Sequence, residues 1–159
     1  MLTKSNYLIG LQCPKLLWIT KNDKERIPKP DKQALAKFKR GHIIGKLATT
    51  LFDDGITISD VNMKSNMRKT LEALKERKPI FEAGIIQDEL FSRADILLPV
   101  GKDEWDIIEV KSGSRVKDLN IHDVAFQKYV YEKAGLKIRN CILMHLNSEY
   151  IRDGEIEPE

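Results

Sequence analysis

The stretch from residue 79 to residue 147 constrains the fold most, because strand-like runs alternate in it with very short polar connections. The runs "PIFEAGII", "LFSRADILLPV" and "EWDIIEVKSG" are rich in β-branched and aromatic residues. "QDE" and "GKD" separate them, at the length of hairpin turns. A helical run closed by Gly135 follows, and then the strand-like "KIRNCILMHLN". This order predicts a mixed α/β sheet made of a three-strand meander, a crossover helix and a returning strand, flanked by helices.

The N-terminal half is predicted to be mainly helical. A first helical segment, with Thr3 or Ser5 as its cap, leads into a polar loop with two prolines. A helix from about Asp31 to about Phe52 carries apolar residues on two sides, so we expect it to be largely buried. After the short strand "ITISDV", Ser65 is expected to cap a helix that stops before the next proline.

The length of 159 residues suits one domain with its own core. Its predicted parts are a basic helical segment at 1–30, a helical segment at 31–78, the core that carries the site at 79–147, and a tail at 148–159. No apolar run approaches the roughly 20 residues that span a bilayer, and the N-terminus has no signal-peptide pattern. We therefore expect a cytoplasmic protein without a membrane partner.

Charge is distributed unevenly along the chain. Residues 1–46 hold eleven Lys or Arg and three Asp or Glu, whereas residues 47–159 hold sixteen and twenty-one. A basic segment beside an acidic one is compatible with nucleic-acid binding. A solvated lysine-rich helix surface explains the same pattern, so charge alone does not decide.

Acidic side chains lie within the predicted central strands. In "DIIEVKS", alternation places Glu109 and Lys111 on one face with Ile107, while Val110 points to the other face. Asp95 lies in the preceding strand, and pairing around the "GKDEW" turn brings it beside Glu109. Two adjacent carboxylates repel each other unless a cation joins them. Mg²⁺ or Mn²⁺ suits two carboxylates and a backbone carbonyl, and a neighbouring lysine can orient a metal-bound water.

The spacing "RADIL"…"EVK" resembles the D-x(n)-E-x-K signature of the PD-(D/E)XK nuclease superfamily. "QKYVY" is similar to the Q-x-x-x-Y motif of its RecB-like branch and the related CRISPR-associated exonucleases. "RGHIIGKLA" resembles the helix that carries a histidine metal ligand, and "LQCPKLLW" resembles the segment with the first iron–sulfur cysteine. The overall run looks closest to a bacterial family with this domain at the N-terminus of a longer protein.

This resemblance implies a restriction-endonuclease-like core and a set of site residues. Asp95, Glu109, Lys111 and Gln127 would be catalytic. The metal ligands would be His42, Asp95, Glu109 and the carbonyl of Val110, and the substrate-side residues would include Gln127 and Tyr131. Gly41 and Gly45 flank His42, which would allow close backbone approach to the metal.

Other candidates stay open at this point. Glu82, in "IFEAG", is either an additional metal or water-positioning residue or a charge at a strand end. Ser112 and Arg115 either hold phosphates or belong to a solvated loop. Cys13 matches the first cluster cysteine, but only Cys141 follows it, so we expect no iron–sulfur cluster in this chain.

The leading hypothesis is a Mg²⁺- or Mn²⁺-dependent deoxyribonuclease that acts on single strands or ends in DNA repair, recombination or defence. The alternative is a nucleic-acid-binding module that keeps the nuclease fold and needs a fused or separate partner for activity. A structural interaction domain is a third reading. The sequence leaves open DNA versus RNA, end versus interior cleavage, polarity and oligomeric state.

Overall fold

The structure, a computed structural model, describes residues 1–151 and 153–154. Its helices are α1 (Lys4–Gln12), α2 (Pro14–Asn22), α3 (Lys32–Thr49), α4 (Met63–Ala73) and α5 (Asp118–Lys133). Its strands are β1 (Leu2–Thr3), β2 (Ile56–Thr57), β3 (Ile80–Gln87), β4 (Leu90–Val100), β5 (Glu104–Lys111) and β6 (Lys137–His145). Two short 3-10 helices lie at Lys24–Arg26 and Leu74–Glu76.

The strands form one mixed six-stranded sheet in the order β2-β3-β4-β5-β6, with β1 pairing to β4 beside this path. The β3–β4 and β4–β5 pairs are antiparallel, and the β5–β6 pair is parallel and connected through α5. The meander, crossover helix and returning strand are therefore confirmed, as is the α/β class. Hairpin-length connections fixed the first pairs, and a parallel pair requires a long crossover.

Each face of the sheet carries its own core. Ile107 and the other inward residues of one face pack against Phe126, Val130 and Tyr131 of α5. Ile108 lies on the opposite face, in a smaller cluster with Ala48 of α3. The predicted alternation in β5 is thus correct, and it places Glu109 on the α5 face.

Several local predictions in the N-terminal half are wrong. The first segment contains the two-residue strand β1, and its helix is broken at Cys13, where Pro14 begins α2. Thr3 caps α1, as one of the two alternatives predicted. Asn62, not Ser65, caps α4, because its side chain accepts from the backbone N–H groups of the helix's first turn.

Helix α3 is much more exposed than its two apolar stripes predict. Leu35, Phe38 and Ile43 are 55%, 62% and 56% exposed, and Ala48 is the residue through which α3 joins the core. Only the C-terminal part of α3 reaches the sheet. The apolar pattern predicted burial correctly there and wrongly over the rest of the helix.

Residues 152 and 155–159 of the predicted tail lie outside the described residues. The described part of 148–159 contains no helix or strand. Among the described residues, no helix combines the length and apolar character needed to cross a membrane.

Candidate functional site

The candidate site lies where strands β4 and β5 separate. Their ladder pairs Ile96 with Ile108, so Asp95 and Glu109 are the next positions along it. Beyond this point β4 leaves β5 and pairs at Leu90 with β1 instead. The end of β1 leads directly into α1, whose first residue is Lys4. The side chain of Lys4 consequently enters the opening between the two strands.

Two carboxylates and two ammonium groups meet in this opening. The Lys111 Nζ lies 2.7 Å from Glu109 Oε1 and 2.6 Å from Asp123 Oδ2. The Lys4 Nζ lies 3.0 and 2.9 Å from the two oxygens of Glu109, and 3.2 Å from Asp123 Oδ1. Glu109 and Asp123 are nearly inaccessible to solvent, at 4% and 3% exposed. Buried carboxylates persist only when paired, and here each of them contacts both lysines.

The electrostatics of these groups follow from burial and from each other. Burial lowers the pKa of Lys4, but the negative charges of Glu109, Asp123 and Asp95 outweigh this effect and raise it overall. The pKa of Lys111 is raised in the same way. Burial raises the pKa of Asp123, but the two lysines lower it more, so the net shift is downward. These shifts favour the charged forms of Lys4, Lys111 and Asp123.

Asp95 has a different environment. Burial and the adjacent Glu109 raise its pKa to about 7, although Lys4 and a hydrogen bond from the Val110 N–H act in the opposite direction. That hydrogen bond joins Val110 N to Asp95 Oδ2 at 2.7 Å. The N–H and C=O groups of one residue in an extended strand point to the same side, so the Val110 carbonyl also faces β4.

Helix α5 supplies the other wall of the site through residues spaced four apart. Asp123 and Gln127 both contact the charged cluster: the Gln127 Nε2 donates to Glu109 Oε2 at 2.7 Å and to Asp123 Oδ1 at 3.0 Å. Because only the amide nitrogen can donate, this pair of bonds fixes the orientation of the amide and of both carboxylates. One turn further on, Tyr131 is fully buried.

The hydroxyl of Tyr131 bridges strands β3 and β4. It donates to the Ala83 carbonyl at 2.5 Å and accepts from the Ala94 N–H at 3.1 Å. Ala83 and Ala94 are partners in the sheet. Tyr131 therefore holds together the sheet next to Asp95.

The prediction that Gln127 and Tyr131 lie on the substrate side requires correction. Both side chains are 0% exposed and are occupied by hydrogen bonds inside the protein. Their positions on the inward stripe of α5 explain this, because that stripe packs against the sheet. In this structure both side chains therefore bond to groups inside the protein.

Glu82 lies on β3 opposite Asp95, at a local distortion of the strand. Its φ of 59° is in the left-handed region, and the Asn66 Nδ2 donates to its carbonyl at 3.0 Å. A Cβ at the nearby Gly84 would lie 2.1 Å from Asn66 Oδ1, so only glycine allows this approach. The Glu82 carboxylate lies 2.8 Å from Arg93 Nε and is half-exposed. Its observed partner is thus a cation at the mouth of the site.

A cleft of about 410 Å³ leads to the site from this side. Its lining residues are Thr3, Lys4, Ser5, Val61, Met63, Glu82, Phe91, Arg93 and Asp95. Two cations and two carboxyl groups therefore face the cleft alongside apolar side chains.

His42 does not join the carboxylates. It is exposed on α3, and a Cβ placed at either flanking glycine, Gly41 or Gly45, would meet nothing within 4 Å. The close backbone approach predicted from these glycines is therefore absent, because only the later part of α3 packs on the sheet. The predicted ligand set that includes His42 is not assembled in this structure.

The remaining predicted residues lie at the edges of the site or outside it. Ser112 follows Lys111 and is half-buried, whereas Arg115 is exposed in the loop after β5. Cys13 accepts a hydrogen bond from Leu16 N at 3.4 Å, which makes it the cap of α2. Cys13 and Cys141 are both free thiols.

Two members of the cluster were not predicted from the sequence. Asp123 had a usable signal, since it precedes Gln127 by one helical turn and shares its stripe with Tyr131. Lys4 had none, because its partner Glu109 is 105 residues away. Only the pairing of β1 with β4 brings it to the site.

The oxygen groups present fit a divalent cation only in part. Asp95, Glu109 and the Val110 carbonyl are the hard oxygen donors that Mg²⁺ and Mn²⁺ prefer. Among the described residues, no cluster of three or more His, Cys, Asp or Glu side chains is arranged to hold a metal. A cation site at this position would thus rest on two carboxylates and one backbone carbonyl.

Comparison with known proteins gave no relative: no family model, curated protein or solved structure matches this chain.

Proposed function

We propose that this protein is a divalent-metal-dependent deoxyribonuclease with a restriction-endonuclease-like core, related to the RecB-like branch of the PD-(D/E)XK superfamily. The observation that carries the proposal is that Glu109 pairs with Lys111 at 2.7 Å beside Asp95, where β4 and β5 separate. Adjacent carboxylates with a lysine, at a gap in a sheet, are an arrangement suited to hydrolysis of a phosphodiester bond.

In this proposal Asp95, Glu109 and the Val110 carbonyl would hold Mg²⁺ or Mn²⁺. When bound, the ion supplies a Lewis acid that stabilises negative charge on the phosphate. Lys111 orients the attacking water and neutralises charge that develops on the phosphate. Asp123 and Gln127 act through these groups, since they fix the Lys111 ammonium and the Glu109 carboxylate.

The cleft supports a single strand or a strand end as the substrate. Its volume of about 410 Å³ is in the range of small-molecule pockets, so nucleotide-sized groups fit it. Arg93 offers positive charge for the backbone, and Phe91 offers an apolar surface. DNA repair, recombination or defence are the settings in which such an activity would serve.

Removing Asp95 or Lys111 tests the proposal. We expect Asp95→Ala and Lys111→Ala each to reduce Mn²⁺-stimulated degradation of single-stranded DNA by at least about 100-fold, because each removes a group that acts on the transition state. Degradation of a labelled oligonucleotide would be followed on gels, with circular dichroism to verify that each variant folds.

Asp53→Ala and Lys102→Ala are matched controls, because both side chains are exposed and lie outside the cluster. They should cleave like the unmodified protein. Full cleavage by both Asp95→Ala and Lys111→Ala would exclude this site.

One observation favours the alternative of a nucleic-acid-binding module. Lys4 and Lys111 already balance the negative charges of Glu109 and Asp123. A site that is balanced in this way does not need a metal ion. A nuclease assay in Mg²⁺, Mn²⁺ and Ca²⁺, together with a DNA-binding titration in rising salt, separates the two. Salt-sensitive binding without cleavage in any metal supports the module.

A further inference from the structure

Lys4 occupies the position against Glu109 that a metal ion would need. Its ammonium group donates to both oxygens of this carboxylate, at 3.0 and 2.9 Å. The lysine side chain is only 17% exposed, and that of Glu109 only 6%. An ammonium group and a divalent ion cannot share both oxygens without strong repulsion in so buried a place.

The surroundings of Lys4 give its side chain a place to move. Lys4 also lines the cleft, together with Thr3 and Ser5 on either side of it in sequence. The stem has four rotatable carbons, so the ammonium can leave Glu109 for the cleft without movement of α1. Glu109 would then be open to a cation that enters through the cleft, which Asp95 already lines.

We propose that Lys4 is a resident counter-ion that competes with the divalent cation for the Glu109 carboxylate, so that metal binding requires displacement of the Lys4 ammonium group. This inference rests on the proposed metal-dependent function. It makes Lys4 a positioning residue that keeps the metal-free site balanced in charge.

Chemical labelling of the unmodified protein tests the displacement. Lys4 should react slowly with N-hydroxysuccinimide acetate in a chelator, because its amine is paired and buried, and several-fold faster in Mg²⁺. The exposed Lys15 on α2 is the internal control and should react equally in both conditions. Peptide mass spectrometry measures both rates, and unchanged protection of Lys4 in saturating Mg²⁺ would overturn the inference.

Calorimetry with Mn²⁺ provides the second test. We expect Lys4→Met to lower the Kd for Mn²⁺ at least tenfold relative to the unmodified protein, whereas Lys15→Met leaves it unchanged. An equal or higher Kd in Lys4→Met contradicts competition and leaves the proposed nuclease intact.

The two failures are distinguishable. Absence of Mn²⁺ binding to the unmodified protein and to Lys4→Met alike contradicts the metal-dependent function itself, and the inference with it. If Lys4→Met does not fold because Glu109 and Asp123 lose a cation, the labelling of the unmodified protein still shows whether the metal displaces Lys4.

Discussion

At the scale of single residues, Asp95 shows most clearly how environment changes chemistry. Its carboxyl group differs from that of Asp123, since burial and Glu109 raise its pKa to about 7, while lysines lower the pKa of Asp123. Folding thus moves the pKa of Asp95 up from 3.8. In metal-free protein the folded state retains this proton over a range where the unfolded chain has lost it, so the free energy of unfolding falls as pH rises from about 4 to 7.

We therefore expect Asp95→Asn to stabilise the chelator-treated protein progressively more as pH rises. The amide keeps the shape of the side chain and cannot ionise, so the variant lacks the loss of stability that the carboxyl group causes. Thermal unfolding at pH 5 and pH 8 measures this: the Tm of Asp95→Asn minus that of the unmodified protein should be larger at pH 8. An equal Tm difference at the two pH values would contradict the raised pKa of Asp95. The same trend in the exposed control Asp53→Asn would also contradict it.

At the scale of elements, the central strands and α5 could be predicted because their signals are local. Alternation, hairpin-length turns and the helix stop at Gly135, whose φ is +91°, all lie within a few residues of the elements they define. Alternation along β5 also predicted which residues share a face, and it placed Glu109 and Lys111 on the same one.

The N-terminal elements could not be predicted to the same degree. Apolar periodicity shows which side of α3 is apolar but not whether another element covers it, and Phe38 is exposed. The strand β1 has only two residues, Leu2 and Thr3, too few to show a period. The resemblance of "RGHIIGKLA" to a family helix predicted His42 at the site, but this part of α3 is exposed. Lys4 follows β1 and was not predicted.

Tyr131 links α5 to the sheet, and its hydroxyl should contribute measurably to stability. In Tyr131→Phe the Ala94 N–H and the Ala83 carbonyl lose their partner inside the core, which we expect to destabilise the protein by about 2 kcal/mol. Urea unfolding measures the change. Tyr129→Phe is the matched control, because Tyr129 lies on the exposed side of the same helix. Equal stability of the two variants would mean that the buried hydrogen bonds contribute nothing.

At the scale of the whole molecule, the proposed function separates binding from cleavage: the basic N-terminal segment would attract the nucleic acid, and the charged site would cleave it. Residues 1–46 hold eleven Lys or Arg against three Asp or Glu. The lysines of α3 such as Lys37 and Lys39 are exposed, so their charge is available to a nucleic-acid backbone.

Neutralising two of these lysines should weaken binding of single-stranded DNA and its salt dependence together. We expect Lys37→Gln/Lys39→Gln to reduce the magnitude of the slope of log K against log salt by about 1.4, since each of the two backbone contacts contributes about 0.7 for a single strand. Fluorescence anisotropy at several salt concentrations measures this slope. The control Lys75→Gln/Lys102→Gln makes the same charge change at exposed positions outside α3. An equal decrease of the slope in this control would mean that DNA responds to the total charge of the protein and not to a binding surface on α3.

The pairing of β1 with β4 also sets the order in which the chain can complete its fold. The Leu2 N–H donates to the Glu89 carbonyl at 2.7 Å, and Lys4 pairs with Glu109, which is 105 residues away in sequence. Such distant contacts form late, because the loop between them must close first. Lys4 can therefore reach Glu109 only after β5 has been synthesised, and Asp123 only after the first turns of α5 have followed. Until β1 pairs with β4, the carboxylates of the site lack one of their two cations, so assembly of the charged cluster depends on docking of β1 and α1.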